Sequence, residues 1–466
     1  MLQSPALGGP GSPAWAAVDA AISDGAEAAF SFLERLVASP STVGRERAAQ
    51  KIVAAELDRL GFEVTELSVP AETAEAAPGG VAQASYAGRP NVLGRINPGG
   101  SPALLLNGHV DVVPAESGRW ASDPFTPVRA DGWLTGRGAG DMKGGFAMGL
   151  LAVAALRHAA PGALSGELSF LSVIEEECTG NGTLAAGRAG VLADAAVLLE
   201  PTDLGLLLGG TGILWAEIEI AGIAAHAESA DRAVNPVRFI PAILRALAAL
   251  EDEFNKPGDD PAFDRLARPY NVNVGTVTAG DWPSSVPARA RMGVRAGFPR
   301  RLTPGEAFDR VRSAVLGAAA GDPWLAGHPP SVRPAGFRAE GYLIDEGHPL
   351  VTALAAAHQD AHGEPPRRTV MGSTTDARYY LNQFGVPALA YGPRSRNIHG
   401  TDEAVELASI VSGARTMARF IAGFFASGGL GPAAAGGQAS RVVSPRGGPG
   451  DGSPRRKRLS RAGGLP

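Results

Sequence analysis

Leu104–Leu151 reads LLLNGHVDVVPAESGRWASDPFTPVRADGWLTGRGAGDMKGGFAMGLL. Three leucines deliver Asn107-Gly108-His109-Val110-Asp111, and Gly140-Asp141-Met142-Lys143-Gly144-Gly145 opens a helical run of small residues. A strand ending in His-x-Asp, followed by an Asp on a glycine-rich turn, offers imidazole and carboxylate ligands from the rim of a sheet. The two-residue period of a strand puts His109 and Asp111 on one face. From there Asp111 can accept the second ring N–H of His109 and set its tautomer. The stretch therefore reads as half of a metal site, with His109 and Asp141 as ligands.

The other half is found further along. Glu175, Glu176 and Glu177 follow directly on the apolar run Leu168–Ile174. Three like charges at a strand end repel one another unless a cation or a proton offsets them. Glu200 follows a second such run, Ala195–Leu199, and His399 lies in Asn397-Ile398-His399-Gly400-Thr401-Asp402-Glu403. One histidine and one carboxylate per ion, with a shared carboxylate between them, is the composition of a cocatalytic pair. Two ions about 3.5–4 Å apart can activate a bridging water and polarise a carbonyl. A further glutamate must then take the proton from that water.

Around this core the pattern alternates between strand and helix. Ala14–Ala38 and Arg45–Leu60 have helical spacing, the second with Ser41 or Thr42 as its cap. Strands are expected at Phe62–Leu67, Asn91–Ile96, Ala103–Asn107, Leu168–Ile174 and Ala195–Leu199, with a small-residue helix over Gly145–His158. Polar residues gather at the C-terminal ends of these strands, the signature of a mostly parallel α/β sheet flanked by helices. The pattern then changes. Ile213–Ala221, Val272–Ala279 and Arg289–Phe298 read as strands, and Asn235–Phe254 and Thr303–Ala320 as helices, giving an inserted α+β domain. The first pattern resumes with a helix at His348–His362, a buried strand within Gly385–Gly392 and a last helix over Thr401–Phe425. The expected organisation is a flexible terminus (1–13), a catalytic domain in two parts (14–210 and 334–426), the insertion (211–333) and a disordered Gly/Pro/Arg-rich tail (427–466).

Composition narrows the class. The chain has 466 residues, 45% hydrophobic and 19% charged, with a formal net charge of −5. Seven of the 42 basic residues but only one of the 47 acids lie beyond residue 425, so the body carries −11 and the tail +6. An acidic body gives no reason to expect a nucleic-acid partner. The single cysteine, Cys178, forms no internal disulfide, in keeping with a reducing compartment. The first 34 residues carry no Lys or Arg, so no signal peptide is expected, nor any apolar run of membrane-spanning length. A cytoplasmic location follows. Two decoys fall away. Gly136–Gly140 lacks the full spacing of a dinucleotide-binding loop. Cys178 has no neighbouring histidine and reads as a packed thiol.

The motifs GHVDVVP, GRGAGDMKGG, IEEECTGNG, LLEPTD, AGIAAHAES, NVGTVTAGDWPSSVP, GSTTDARY and GPRSRNIHGTDE, in that order, resemble one family. It is the dizinc group of acetylornithine deacetylase, succinyl-diaminopimelate desuccinylase, aminoacylase and glutamate carboxypeptidase. The resemblance implies two Zn2+ per subunit, with Co2+ or Mn2+ as substitutes. One ion takes His109, Asp141 and Glu200, and the other takes Asp141, Glu177 and His399. Asp111 orients His109, and Glu176 is the general base, or Glu175 if the register slides by one. The family usually has Asp where this chain has Glu175. The insertion becomes a lid and dimerisation domain, whose His226 reaches the partner subunit's site in a homodimer. Arg295 is either a holder of a substrate carboxylate or part of a solvated strand face. Gly372, Thr374 and Asp376 resemble a substrate-side loop, and Gly392 a close backbone approach. The implied reaction is deacylation of a small N-acyl amino acid. A carboxypeptidase or dipeptidase is the alternative, and a metal-free binding protein on the same fold is a third reading.

Overall fold

The computed structural model describes residues 12–71, 85–115, 119–258 and 260–430. The expectations for 1–11 and 431–466 fall outside them. The main sheet is built from β1 (Glu63–Leu67), β2 (Asn91–Ile96), β3 (Ala103–His109), β6 (Glu167–Val173), β7 (Ala195–Leu198), β8 (Leu206–Gly210), β15 (Tyr342–Leu343), β16 (Arg368–Met371) and β17 (Ala388–Ala390). Their order is β1-β2-β6-β3-β7-β17-β8-β15, with β16 on β8. The predicted parallel pairing holds in the centre, across β6, β3, β7 and β17. Antiparallel strands flank it on both sides, so the whole sheet is mixed.

The central strands are apolar without alternation because both faces are covered. Leu104, Leu106, Leu168, Phe170 and Val197 face a core shared with helices α1 (Pro13–Val37), α2 (Arg47–Arg59), α3 (Gly144–Ala159), α7 (Pro349–His362) and α8 (Leu407–Ala426). Leu105, Leu171, Val173, Ala196 and Leu198 face a second cluster with α4 (Asn181–Arg188) and residues 377–384. Helix α3 is the axis of the first core. A Cβ on Gly145 would lie 1.8 Å from the carbonyl oxygen of Leu199, so only glycine lets the helix start against the end of β7. The segment Ala139–Ala159 has the length and hydropathy of a membrane span, which the sequence reading overlooked, yet 89% of its apolar window is buried.

The insertion has its own sheet and core. Strands β9 (Gly212–Ala221), β11 (Val272–Ala279), β13 (Arg289–Phe298) and β14 (Ser331–Ala339) run antiparallel in the order β11-β13-β9-β14. Helices α5 (Ile240–Phe254) and α6 (Pro304–Ala320) cover one face, burying Leu214, Ile218, Leu247 and Val311. Thr303 and Glu306 form a capping box at the start of α6. Strands β10 (Ala225–His226) and β12 (Ser285–Val286), far apart in sequence, pair antiparallel as a separate two-stranded ladder. A last small sheet, β18-β19-β5-β4, joins β4 (Val128–Ala130) and β5 (Trp133–Thr135) to β18 (Ser395–Arg396) and β19 (Ala404–Glu406).

Four local expectations need correction. Strand β14 pairs with β9 on both sides of an irregularity between Pro334 and Arg338, so a boundary at residue 333 cuts a strand and the second sheet runs to Ala339. The first residues of the predicted last helix form β19, because they extend the small sheet before α8 begins. Helix α5 starts at Ile240, since Asn235 caps a separate 3-10 turn over Pro236–Phe239. Neither Ser41 nor Thr42 caps α2. Ser41 Oγ donates to the carbonyl of Val110 at 2.6 Å, and Thr42 pairs with Val112.

Candidate metal centre

Three parallel strands end in the site. Strand β3 delivers His109 and Asp111, β6 delivers Glu175–Glu177, and β7 delivers Glu200. Asp141 comes from the turn before α3, and His399 from the loop between β18 and β19. Crevices at the C-terminal ends of such strands are where α/β sheets bind ligands. A cavity of about 1000 Å3 opens over these residues and reaches the β9–β13 face of the insertion.

The side chains converge in two sets of three. His109 Nε2 lies 3.1 Å from Asp141 Oδ1 and 4.0 Å from Glu200 Oε2. His399 Nε2 lies 3.4 Å from Asp141 Oδ2 and 3.1 Å from Glu177 Oε1. Within each set the candidate ligand atoms lie within 4.8 Å of one another. Asp141 belongs to both and offers one oxygen to each. This is the borderline nitrogen and hard oxygen chemistry that zinc and its neighbours accept, so the donor set fits a divalent metal.

The electrostatics fit it too. Burial pushes the Glu200 carboxyl up to about 8, reinforced by the charges of Asp141 and Glu177. Burial likewise raises Asp111 to about 7. It also pulls the His109 imidazole down, but the hydrogen bond to Asp141 and the charges of Glu200 and Asp111 more than offset that. His399 is raised to about 11; burial opposes the shift, and the bonds to Asp141 and Glu177 drive it. Asp141 itself is held below the usual carboxylate range by both histidines, against the pull of burial. Carboxylates crowded in this way attract positive charge.

The three consecutive acids separate by direction. Glu175, at φ 64°, turns away from the cavity. Its carboxylate meets Arg89 Nη2 at 2.8 Å and accepts from Tyr86 Oη and Thr179 Oγ1, both at 2.9 Å. Arg89 also pairs with buried Glu46 at 2.5 Å. Glu176 and Glu177 both line the cavity, but only Glu177 belongs to a ligand set. Burial and the charge of Asp376 raise the Glu176 carboxyl well above its ordinary value. Its near cation is Arg378, at 3.9 Å.

Several expected residues sit elsewhere or act differently. The group at His109 Nδ1 is the backbone carbonyl of Asp111, at 2.8 Å; the Asp111 carboxylate lies 3.8 Å away. That carboxylate instead accepts from the backbone N–H groups of Glu176 and Glu177, both at 3.2 Å. Asp376 lines no part of the cavity. It lies buried beneath Glu176, accepting from Thr183 Oγ1 at 2.5 Å and facing Arg378 at 3.3 Å. Gly392 is also behind the site, where a Cβ would strike the carbonyl oxygen of Glu200 at 2.0 Å. Gly372 packs on Pro269 and accepts from Arg295 Nη2 at 3.2 Å. Arg295 and Thr374 do line the cavity. His226, on β10, is exposed and lines no part of it. Cys178 is a buried thiol whose pKa burial raises, not an activated nucleophile.

Two residues without an assigned role hold the ligands in place. One Glu403 oxygen accepts from the backbone N–H groups of Gly138, Gly140 and Asp141 at 3.1, 3.0 and 2.9 Å. The other accepts from Arg137 Nη1 at 2.5 Å, and Arg137 Nη2 donates to the His399 carbonyl at 3.2 Å. A single buried ion pair thus ties the Asp141 turn to the His399 loop. Both residues stand inside the quoted motifs, but nothing local in the sequence marks the contact.

Residues 105–423 match the peptidase family M20/M25/M40. The chain belongs to that family. As a member it is an enzyme that hydrolyses amide bonds with a bound divalent metal. Among curated members, a succinyl-diaminopimelate desuccinylase of Methylobacterium radiotolerans is 32% identical over 397 residues, 82% of this chain and 93% of that protein. An N-formyl-4-amino-5-aminomethyl-2-methylpyrimidine deformylase of Bacillus subtilis is 29% identical over 395 residues, 80% of this chain and 88% of that one. Among solved structures, the di-peptidase Dug1p of Saccharomyces cerevisiae superposes with a TM-score of 0.73 at 17% identity, covering 88% of this chain and 98% of the other. The shared M20 fold is an α/β catalytic domain with a lid domain.

Proposed function

We propose that this enzyme is a cytoplasmic dizinc deacylase of small N-acyl amino acids. The observation that carries the reading is the shared Asp141, which presents one carboxylate oxygen to each of two donor sets. His109, Asp141 and Glu200 would hold one Zn2+, and Asp141, Glu177 and His399 the other, with Co2+ or Mn2+ as substitutes. Ions held there supply Lewis acidity for the scissile carbonyl and acidify water.

The chain's own groups do the remaining work. Glu176 Oε takes the proton of the attacking water and returns it to the leaving amine nitrogen. Arg295 faces the cavity with no acid paired to it among the described residues, and is assigned to the substrate carboxylate. Thr374, whose Oγ1 has no hydrogen-bond partner among the described residues, lines the same cavity. The second reading is a dipeptidase or carboxypeptidase, because Arg295 accepts a peptide's terminal carboxylate equally well.

His226 lies outside its own chain's cavity, so its assigned site is in the partner subunit of a homodimer. The β11 edge of the insertion leaves Val277 50% exposed, and Trp282 nearby is 68% exposed; apolar surface of this kind is suited to such an interface. The test is Glu176→Gln. Turnover of N-acyl amino acids should fall roughly 100- to 10,000-fold while bound metal is unchanged. Activity retained in that variant would refute the assignment.

A further inference from the structure

The cavity wall opposite the donor sets is not uniform. Ile213 and Trp215 of β9 and Phe337 and Ala339 of β14 form a small apolar cluster apart from the lid's own core. The Trp215 and Phe337 rings lie 5.9 Å apart, tilted by 34°. Leu207 and Met371 line the same cavity. Trp215 is the direct cross-strand partner of Arg295, so the two side chains stand on one face of the sheet with Cβ atoms about 5 Å apart. On its other side the cluster reaches the reaction centre. The Phe337 ring lies 4.9 Å from the guanidinium carbon of Arg378, and Arg378 lies 3.9 Å from Glu176. A chain of contacts thus runs from Arg295, over an aromatic pair, to the candidate base.

Charge defines the other half of the recognition. Two arginines line the cavity. Arg291 is neutralised by Glu219 at 2.6 Å, which leaves Arg295, among the described residues, as the cavity arginine without an acid. Glu217 is paired with Arg333. Outside the donor sets the cleft therefore matches one negative charge, not two or three.

Resting on the amide-hydrolase reading above, we propose that Trp215 and Phe337 form a specificity subsite for an aromatic or bulky aliphatic side chain. The substrate class is a monoanionic N-acyl amino acid, its carboxylate on Arg295 and its apolar side chain against the two rings. Polyanionic or cationic acyl amino acids, such as N-succinyl-diaminopimelate or N-acetylornithine, find no matching partner on this wall.

The test compares kcat/KM of the zinc-loaded enzyme on N-acetylphenylalanine, N-acetylalanine, N-acetylornithine and N-succinyl-diaminopimelate. The phenylalanine derivative should lead by roughly 10- to 100-fold, the scale on which apolar pockets discriminate. Trp215→Ala should collapse the phenylalanine-to-alanine ratio towards one, and Trp215→Phe should largely restore it. Calorimetric binding of the same two ligands to Glu176→Gln gives a second readout that needs no turnover. If N-succinyl-diaminopimelate or N-acetylornithine leads, the subsite is wrong and the hydrolase reading stands. If no amide is cleaved but calorimetry shows the phenylalanine preference, lost in the Trp215→Ala, Glu176→Gln double variant, the subsite stands and the hydrolase reading falls. Equal binding of the phenylalanine and alanine derivatives, with equal turnover of all four amides, would overturn the proposal.

Discussion

Asp111 uses its two ends differently. Its backbone carbonyl faces His109 Nδ1, and its carboxylate accepts the amides of Glu176 and Glu177. One residue thereby sets the orientation of a ligand, the base and a second ligand together. Exchanging the carboxylate for an amide puts a donor where two backbone donors already point. Asp111→Asn should therefore lower kcat roughly 10- to 100-fold, the range usual for groups that orient ligands, with the His109 ring still placed. An unchanged kcat would remove Asp111 from the positioning set. Glu403 makes the parallel case. Glu403→Gln should weaken metal binding roughly 10- to 100-fold in a chelator competition, because Gly138, Gly140, Asp141 and Arg137 all bind that carboxylate. Among the candidate ligands, His109, Glu177 and Glu200 were legible because each follows an apolar run, and Asp141 because it sits on a glycine-rich turn; His399 was assigned through the family resemblance. Glu403 was not legible, because its contacts lie more than 260 positions away in sequence. The orientation of Asp376 and Gly392, both outside the cavity lining, was not legible for a related reason. A motif shows that a residue belongs to the site, but not which side of the wall it faces.

Two elements carry consequences beyond the ligands. Helix α3 begins against β7 with no room for a side chain at Gly145. Gly145→Ala should cost about 1–3 kcal/mol of stability, as overpacking usually does, and disturb Glu200, which follows the struck carbonyl. Helices α7 and α8 enclose a polar cluster. His358 Nδ1 lies 3.0 Å from Tyr391 Oη, which donates to Thr416 Oγ1 at 2.9 Å, and His362 Nε2 meets the same Oγ1 at 2.9 Å. Burial lowers His358 to about 4, helped by the neighbouring His362. Between that value and the ordinary 6.5, the unfolded chain binds a proton the folded one does not. The contribution is complete above pH 6.5 and is lost as the pH falls towards 4. The stability difference between wild type and His358→Asn should shrink over that window in thermal unfolding, and a constant difference would contradict the assignment. Long, strongly patterned elements such as α1, α6 and β13 were readable from spacing alone. Strand β14 and the three-residue β19 were not, since each is held by pairing with a strand distant in sequence.

The molecule as a whole sets a candidate base and candidate metal ligands on a mixed sheet and faces them with a second sheet whose longest strands run 10 residues. That plan followed from the order of the motifs. The position of His226 did not, because its assigned target lies in another chain. If two subunits complete each other's sites, inactive Glu176→Gln and His226→Ala proteins should regain activity when their subunits are exchanged. The mixed dimer contains one site with both residues native. Exchange without recovery would confine the reaction to a single chain. The account stands or falls on the metal. Chelator-stripped protein titrated with Zn2+, with bound ion and amide hydrolysis followed together, should bind two equivalents per chain and gain its activity with them. His399→Ala should stop at one. A stripped chain that cleaves N-acyl amino acids at the full rate, or that takes up no ion, would contradict it.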